Sequence, residues 1–342
     1  MTDKLFLETL NGTKSKRTPI WVMRQAGRHL DEYRTIRATE SNFISFCLNS
    51  EKASTVTLQP IARYQFDAAI IFSDILIVPW AMNRNVRFKE GIGPLLNPME
   101  KPNDIDASCL NKLLEKLAPV GRALELTNLS LPAKTALIGF AGAPWTLITY
   151  MSEGQSSRDF SKARLWAWQD AKALDGLLEI LIEATIAFLS LQAKAGAECL
   201  MLFDSWANAV PAAQRDWLIT NPTRAIINGI RKNGHKQPVI GFPKGFGDGL
   251  IKYAADSGVD AIGLDHSIDP MWAGKNLPAG MPVQGNLDPL SLLPAGKEML
   301  RDIDYILEAF QDRPHIFNLG HGITPLTPVE NVHIMIDYVR NR

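Results

Sequence analysis

Short apolar runs, each closed by Gly, Pro, Asp or Ser, alternate along this chain with stretches of helical hydrophobic period. Eight runs stand out: Ile20–Met23, Ala68–Phe72, Ala136–Phe140, Glu198–Phe203, Pro238–Gly241, Ala261–Leu264, Pro282–Gln284 and His315–Phe317. Their length and β-rich make-up predict buried strands. The intervening stretches carry helix punctuation. Gly196 falls where a C-cap belongs after a long helix ending near Ala195, and Gly258 follows Asp256-Ser257 in the same role. Pro222 stands near the start of a helix reaching about Lys232, and Pro328 opens a last helix through Arg340.

Strands alternating with helices predict a parallel sheet, and eight such units predict a closed (β/α)8 barrel. A doubly wound sheet would need a glycine-rich dinucleotide fingerprint after an early strand. Gly245-Phe246-Gly247-Asp248-Gly249 has the wrong spacing for one. The interval between the second and third runs is too long for one crossover, so an insertion is expected around residues 75–135, with a hairpin near Val86–Gly93. No repeat, linker or low-complexity tract divides the chain, which predicts one domain over residues 1–342.

Composition narrows the function. Lys plus Arg and Asp plus Glu both number 36, leaving no basic excess for nucleic acid or an anionic membrane. Any anion site must therefore be local. The most apolar stretch, Leu177 to Leu191, is interrupted by Glu179 and Glu183, which share a helical face with Asp175, Ser190 and Lys194. That pattern predicts an amphipathic helix and no membrane span. Cys47, Cys109 and Cys199 lack zinc or disulfide spacing, and the start of the chain has no apolar leader, with Asp3 and Glu8 against a transit peptide. A cytoplasmic protein is expected.

In a parallel barrel, chemistry sits just beyond the C-terminal ends of the strands. The first run leads into Met23-Arg24-Gln25-Ala26-Gly27-Arg28, where two permanent cations flank a small turn. Such a segment can clamp a carboxylate or phosphate, or it can be a solvated basic loop. The second run ends at Ser73-Asp74, either a cap or a desolvated carboxylate. Beyond the third lie Gly142-Ala143-Pro144-Trp145 and Tyr150, beyond the fourth Asp204-Ser205, and beyond the eighth Asn318-Leu319-Gly320-His321-Gly322. Tyr150 and Ser205 each offer a hydroxyl, and no GxSxG elbow surrounds Ser205. Glycines on both sides of His321 allow close backbone approach to a ligand. No second histidine stands at ligand spacing, so no metal is expected. Lys244, in Phe242-Pro243-Lys244-Gly245, follows a strand as a Schiff-base lysine would, but nothing adjacent depresses its pKa.

In this order these segments resemble the uroporphyrinogen decarboxylase family. The shared motifs are Met23 to Arg28, Phe72-Ser73-Asp74-Ile75-Leu76, Gly142 to Leu147, Gln284-Gly285-Asn286-Leu287-Asp288-Pro289 and Asn318 to Gly322. The resemblance implies a distorted (β/α)8 barrel and a homodimer. It implies a cofactor-free carboxy-lyase that turns the four acetate arms of a tetrapyrrole into methyls in haem or chlorophyll biosynthesis. It also implies substrate contacts from Arg24, Gln25, Ala26, Gly27, Arg28, Asp74, Tyr150, Ser205 and His321, with Asp74 stabilising a protonated pyrrole and Arg24 donating or relaying a proton. The chain departs from the family pattern at His29-Leu30-Asp31, where Tyr-Leu-Pro is usual. It departs again at Trp80 to Asn83 and at Asn208. Two rivals remain. A corrinoid-type methyltransferase would need a zinc-bound thiolate, and a silent tetrapyrrole carrier would fit the altered flanks.

Overall fold

The computed structural model describes residues 4–89 and 91–342; residues 1–3, part of the stretch read for a leader, and residue 90 lie outside it. Seven strands form one parallel sheet: β1 (Ala68–Ile70), β4 (Ala136–Gly142), β5 (Cys199–Asp204), β6 (Val239–Pro243), β7 (Ala261–Gly263), β8 (Val283–Gln284) and β9 (His315–Ile316), neighbours in that order. The remaining two, β2 (Arg87–Lys89) and β3 (Gly93–Leu95), are the hairpin expected near Val86–Gly93.

The first expected stave is not a full strand. Residues 19–22 nevertheless close the barrel, because Phe317 N donates to Pro19 O at 2.8 Å and Asp67 N donates to Ile20 O at 2.9 Å. The ladder stops there for a local reason. Gln25 N turns back to Val22 O at 3.0 Å, and Met23 N donates to the side chain of Asn318 at 3.0 Å. The result is a barrel of seven strands and one bridging segment.

Six of the seven strands are buried along their whole length in one continuous apolar cluster, which is why short Val, Ile, Leu and Ala runs suffice. The helix Ala171–Lys194 lies outside the sheet. Its Gln192, fully buried, grips Phe140 as a neighbouring strand would: Phe140 N donates to Oε1 at 2.9 Å and Nε2 donates to Phe140 O at 2.8 Å. Gly139 makes this possible, since a Cβ there would lie 2.8 Å from Gln192 Oε1. Asp175, Glu179, Glu183 and Lys194 face solvent as expected. Ser190 does not; it is buried, where Asn233 Nδ2 donates to its hydroxyl at 3.1 Å. Among the described residues no helix is long and apolar enough to cross a membrane.

At the N-terminal ends of the strands one device recurs. Asp67, directly before β1, accepts from Arg17 at 2.5 and 3.0 Å and from Ile20 N at 2.8 Å. Glu198, before β5, accepts from Lys4 at 2.5 Å and from Leu137 N at 3.2 Å. Asp260, before β7, accepts from Arg231 at 2.9 Å and Val239 N at 2.8 Å. Each acid ties its own strand to the neighbour's backbone and is neutralised by a cation.

Candidate active site at the open ends of the strands

The C-terminal ends carry the opposite arrangement. Arg24 sits in a left-handed turn (φ 62°), and Gly27 tightens it, since a Cβ there would lie 2.8 Å from Arg24 O. The side chains of Arg24 and Arg28 are exposed, and neither meets a carboxylate among the described residues. Gln25 is buried: its Oε1 accepts from Val22 N at 3.3 Å and its Nε2 donates to Ala68 O at 3.2 Å. Its side chain thus binds the turn to β1, leaving the backbone of Gln25, Ala26 and Gly27 as what this segment can offer a ligand.

Asp74 serves both readings made of it. Oδ1 accepts from Leu76 N at 2.8 Å, capping its own turn, while Oδ2 has no partner among the described residues. Burial raises its pKa to about 6, against the opposing pull of the Leu76 N–H and the Arg24 charge. The loop after it presses on the end of β4, where a Cβ on Gly142 would lie 3.0 Å from Ile75 O and 2.8 Å from Leu147 Cδ2. A carboxylate whose pKa is raised to about 6 is thereby fixed within electrostatic range of the Arg24 guanidinium.

Tyr150 projects from the helix Pro144–Glu153 and is 8% exposed. Burial raises its pKa, and Asp74 adds to the rise, so it is a neutral O–H donor. The Trp206 indole N–H lies toward it without closing a hydrogen bond, the two rings meeting edge to face at 6.2 Å. Trp206 is held at both ends of its peptide unit. Its N donates to Thr146 Oγ1 at 3.3 Å, and its O accepts from Trp145 Nε1 at 3.1 Å. Thr146 in turn donates to the buried Asp204 at 2.6 Å. This clamp sets the turn that carries Ser205, whose hydroxyl has no partner among the described residues.

His321 is a neutral imidazole. Burial is the main cause of a pKa near 3, and the charges of Arg24, Lys244 and His266 push the same way. The flanking glycines serve the protein's own packing. A Cβ on Gly322 would lie 2.3 Å from Arg24 Cδ, and one on Gly320 would lie 2.1 Å from His266 N. Both positions must be glycine so that the last loop can seat the Arg24 stem and touch the loop after β7.

Arg24 therefore acts through space on Asp74, Tyr150 and His321. Ser205 joins them through Trp206. Arg28 lies to one side, acting on Tyr33, whose ring packs on Phe72 at 5.7 Å. Two neighbours were not among the substrate contacts expected from the sequence. Lys244, at the end of β6, sets its ammonium 5.6 Å from the Trp206 ring centroid and within reach of His321. Arg37 acts on both Tyr33 and Cys47, and Cys47 also feels Asp74. Lys244 directly follows a stave and was weighed only as a Schiff-base amine, so its position was the available signal.

The donor set for a zinc-bound thiolate is missing: the cysteines are free, Cys47 and Cys199 are buried, and no group of three potential metal ligands converges among the described residues. What remains is a set of cationic and hydroxyl side chains around one buried acid, Asp74, with no carboxylate in salt-bridge contact with Arg24 among the described residues. The class defined is a parallel (β/α)8 barrel with cationic side chains at the C-terminal ends of its strands.

The profile of the family described as "Uroporphyrinogen decarboxylase (URO-D)" matches residues 1–342. Several relatives carry that name, two of them as follows. The one from Novosphingobium aromaticivorans is 47% identical over 337 residues (98% of this chain, 97% of the relative), and the one from Maricaulis maris is 44% identical over 342 residues (100% and 99%). The chain belongs to the uroporphyrinogen decarboxylase family. Among solved structures, a methyltransferase from Methanosarcina mazei superposes with a TM-score of 0.83 at 16% identity, covering 100% of this chain and 99% of that one; at that identity the likeness is one of fold.

Proposed function

We propose that this chain is a carboxy-lyase that converts the four acetate arms of uroporphyrinogen to methyls, yielding coproporphyrinogen for tetrapyrrole biosynthesis. The observation that carries this reading is Asp74: a half-free carboxylate with a pKa raised by burial to about 6, within electrostatic range of Arg24.

A pyrrole acetate holds its carbon dioxide because the electrons left behind have nowhere to go. Protonating the ring carbon beside the acetate-bearing carbon makes a cationic, iminium-like ring that accepts them. The carboxylate then leaves as carbon dioxide, giving an exocyclic alkene conjugated to the ring nitrogen; a second proton completes the methyl, and loss of the first proton from the ring carbon restores the pyrrole. The substrate is its own electron sink, so the chemistry requires no organic cofactor or metal.

Asp74 faces the pyrrole N–H groups and stabilises the cationic ring. Arg24 and Arg28 pair with substrate carboxylates, and the backbone of Gln25, Ala26 and Gly27 lines the contact. Tyr150 and Ser205 donate hydrogen bonds, and neutral His321 accepts or donates one at the rim. Arg24 also positions the proton, relayed through a substrate carboxyl or water, since a guanidinium releases its own reluctantly.

We also propose one domain over residues 1–342, supported by the single apolar cluster, acting as a homodimer in the cytoplasm. The family resemblance and three unpaired thiols support the last two points. The deciding experiment is anaerobic incubation with uroporphyrinogen, separating products by carboxyl number. A ladder from eight carboxylates to four is expected. An unchanged substrate that is nonetheless bound would identify a carrier.

A further inference from the structure

Trp206 has a second side. Beyond it opens a cavity of about 370 Å³ whose lining includes Arg158, Arg164, Phe160, Asn208 and Pro211. The Phe160 ring lies 4.7 Å from that of Trp206, and Asn208 packs against the turn after Lys244, where a Cβ on Gly245 would lie 2.8 Å from Asn208 Cβ. The cavity thus adjoins the catalytic mouth across one indole ring.

Its two guanidiniums are uncommitted. Neither Arg158 nor Arg164 meets a carboxylate within the described residues, and Arg164 Nε is buried without a hydrogen-bond partner. Asp159 also lines the cavity, but its carboxylate is turned to the Ser157 hydroxyl at 3.4 Å. Buried donors without acceptors are costly unless a ligand satisfies them, and paired arginine forks fit a carboxylate.

We propose that this cavity is an outer carboxylate subsite that holds a propionate arm of the tetrapyrrole, resting on the function proposed above. The arm must be a propionate because the subsite lies behind Trp206, away from Asp74, and has to operate in every cycle. At the last cycle the reacting acetate is over Asp74 and only propionates are left to fill it. Trp206 separates the two compartments, with the Lys244 ammonium at its face.

The test is steady-state kinetics of the purified full chain against the variant Arg158→Met/Arg164→Met. Substrates are uroporphyrinogen and the pentacarboxylate porphyrinogen, with coproporphyrinogen as product inhibitor. KM for both substrates and Ki for the product are expected to rise together by about tenfold, with kcat within about twofold, because all three carry the same propionates. The parent KM should also rise more steeply with salt than that of the variant. Unchanged KM and Ki would overturn the proposal. So would a KM rise confined to uroporphyrinogen, or a shift in sedimentation with kinetics untouched, which would make the cavity an interface between copies. Should the double variant fail to fold, the exposed Arg158→Met alone gives the same readout at smaller size. A parent that leaves uroporphyrinogen intact sinks the functional reading, whereas an active parent matched by its variant sinks only the subsite.

Discussion

The two ends of this barrel treat charge in opposite ways. At the N-terminal ends of the strands, Asp67, Glu198 and Asp260 each have a cation and a backbone N–H. At the C-terminal ends, Arg24, Arg28 and Lys244 have no carboxylate partner among the described residues, and Asp74 keeps one oxygen free of them. The same residue types are spent on cohesion below and held in reserve above. An unpaired charge near a protein surface is tolerable when water reaches it, and it becomes useful when a ligand displaces that water. Charge pairing, rather than charge content, separates the structural end from the functional one.

Substitutions at each end should separate stability from activity. Asp74→Asn is expected to lower kcat by about a hundredfold, near 3 kcal/mol of transition-state stabilisation, in assays of uroporphyrinogen turnover. The same change should stabilise the fold at pH 8. Burial raises the folded pKa from 3.8 to about 6, so folding disfavours the ionised form, and the destabilisation grows as pH rises through that window. The gain should be up to about 2 kcal/mol by urea unfolding at pH 8, discounted because Asp74 retains some solvent contact, and should vanish near pH 4. A variant that is both inactive and less stable at pH 8 would put Asp74 among the structural acids.

Asp67→Asn, at the other end, should cost about 2 kcal/mol of stability while leaving kcat and KM near parental values. That figure sits below the buried-pair range because the Arg17 side chain is 39% exposed. Loss of activity in a folded Asp67→Asn protein would erase the contrast. Arg24→Met should raise KM by about tenfold or more, as expected for losing a charge-assisted carboxylate contact. For Lys244→Met a smaller KM rise, about threefold to fivefold, is expected, since its ammonium is already shared with the Trp206 face. In the parent, kcat/KM should fall about tenfold per pH unit below about 6 as Asp74 takes a proton. Asp204→Asn should leave that acid limb in place, although burial raises the Asp204 pKa to about 7, because Asp204 reaches the mouth only through Thr146.

Legibility from sequence followed burial. The run around Ala136–Gly142 was readable because every residue in it is buried. Ile20–Met23 has the same apolar look, yet its ladder is cut short by Asn318, which no local pattern announces. Ser190 fits the polar face of its helix, but it is buried where Asn233, capping the end of another helix, donates to it. At the site, Arg24, Asp74 and His321 stood in short motifs that could be read as chemistry. Lys244 stands in none, and its placement depends on Trp206 and His321, which only the closed barrel brings near it. The glycines around His321 were legible as close-approach positions, though what approaches them is the Arg24 stem and the His266 backbone.

The seam between the first and last staves has a consequence for how the molecule is made. Met23 N is held by the Asn318 side chain across 295 residues of chain, and Gly322 seats the Arg24 stem. On a ribosome, the first arginine of the clamp is synthesised early and then waits for nearly the whole polypeptide before its geometry can form. A nascent chain would therefore have no mature grip on a tetrapyrrole until its final strand emerged, keeping an unfinished catalyst from sequestering a reactive metabolite.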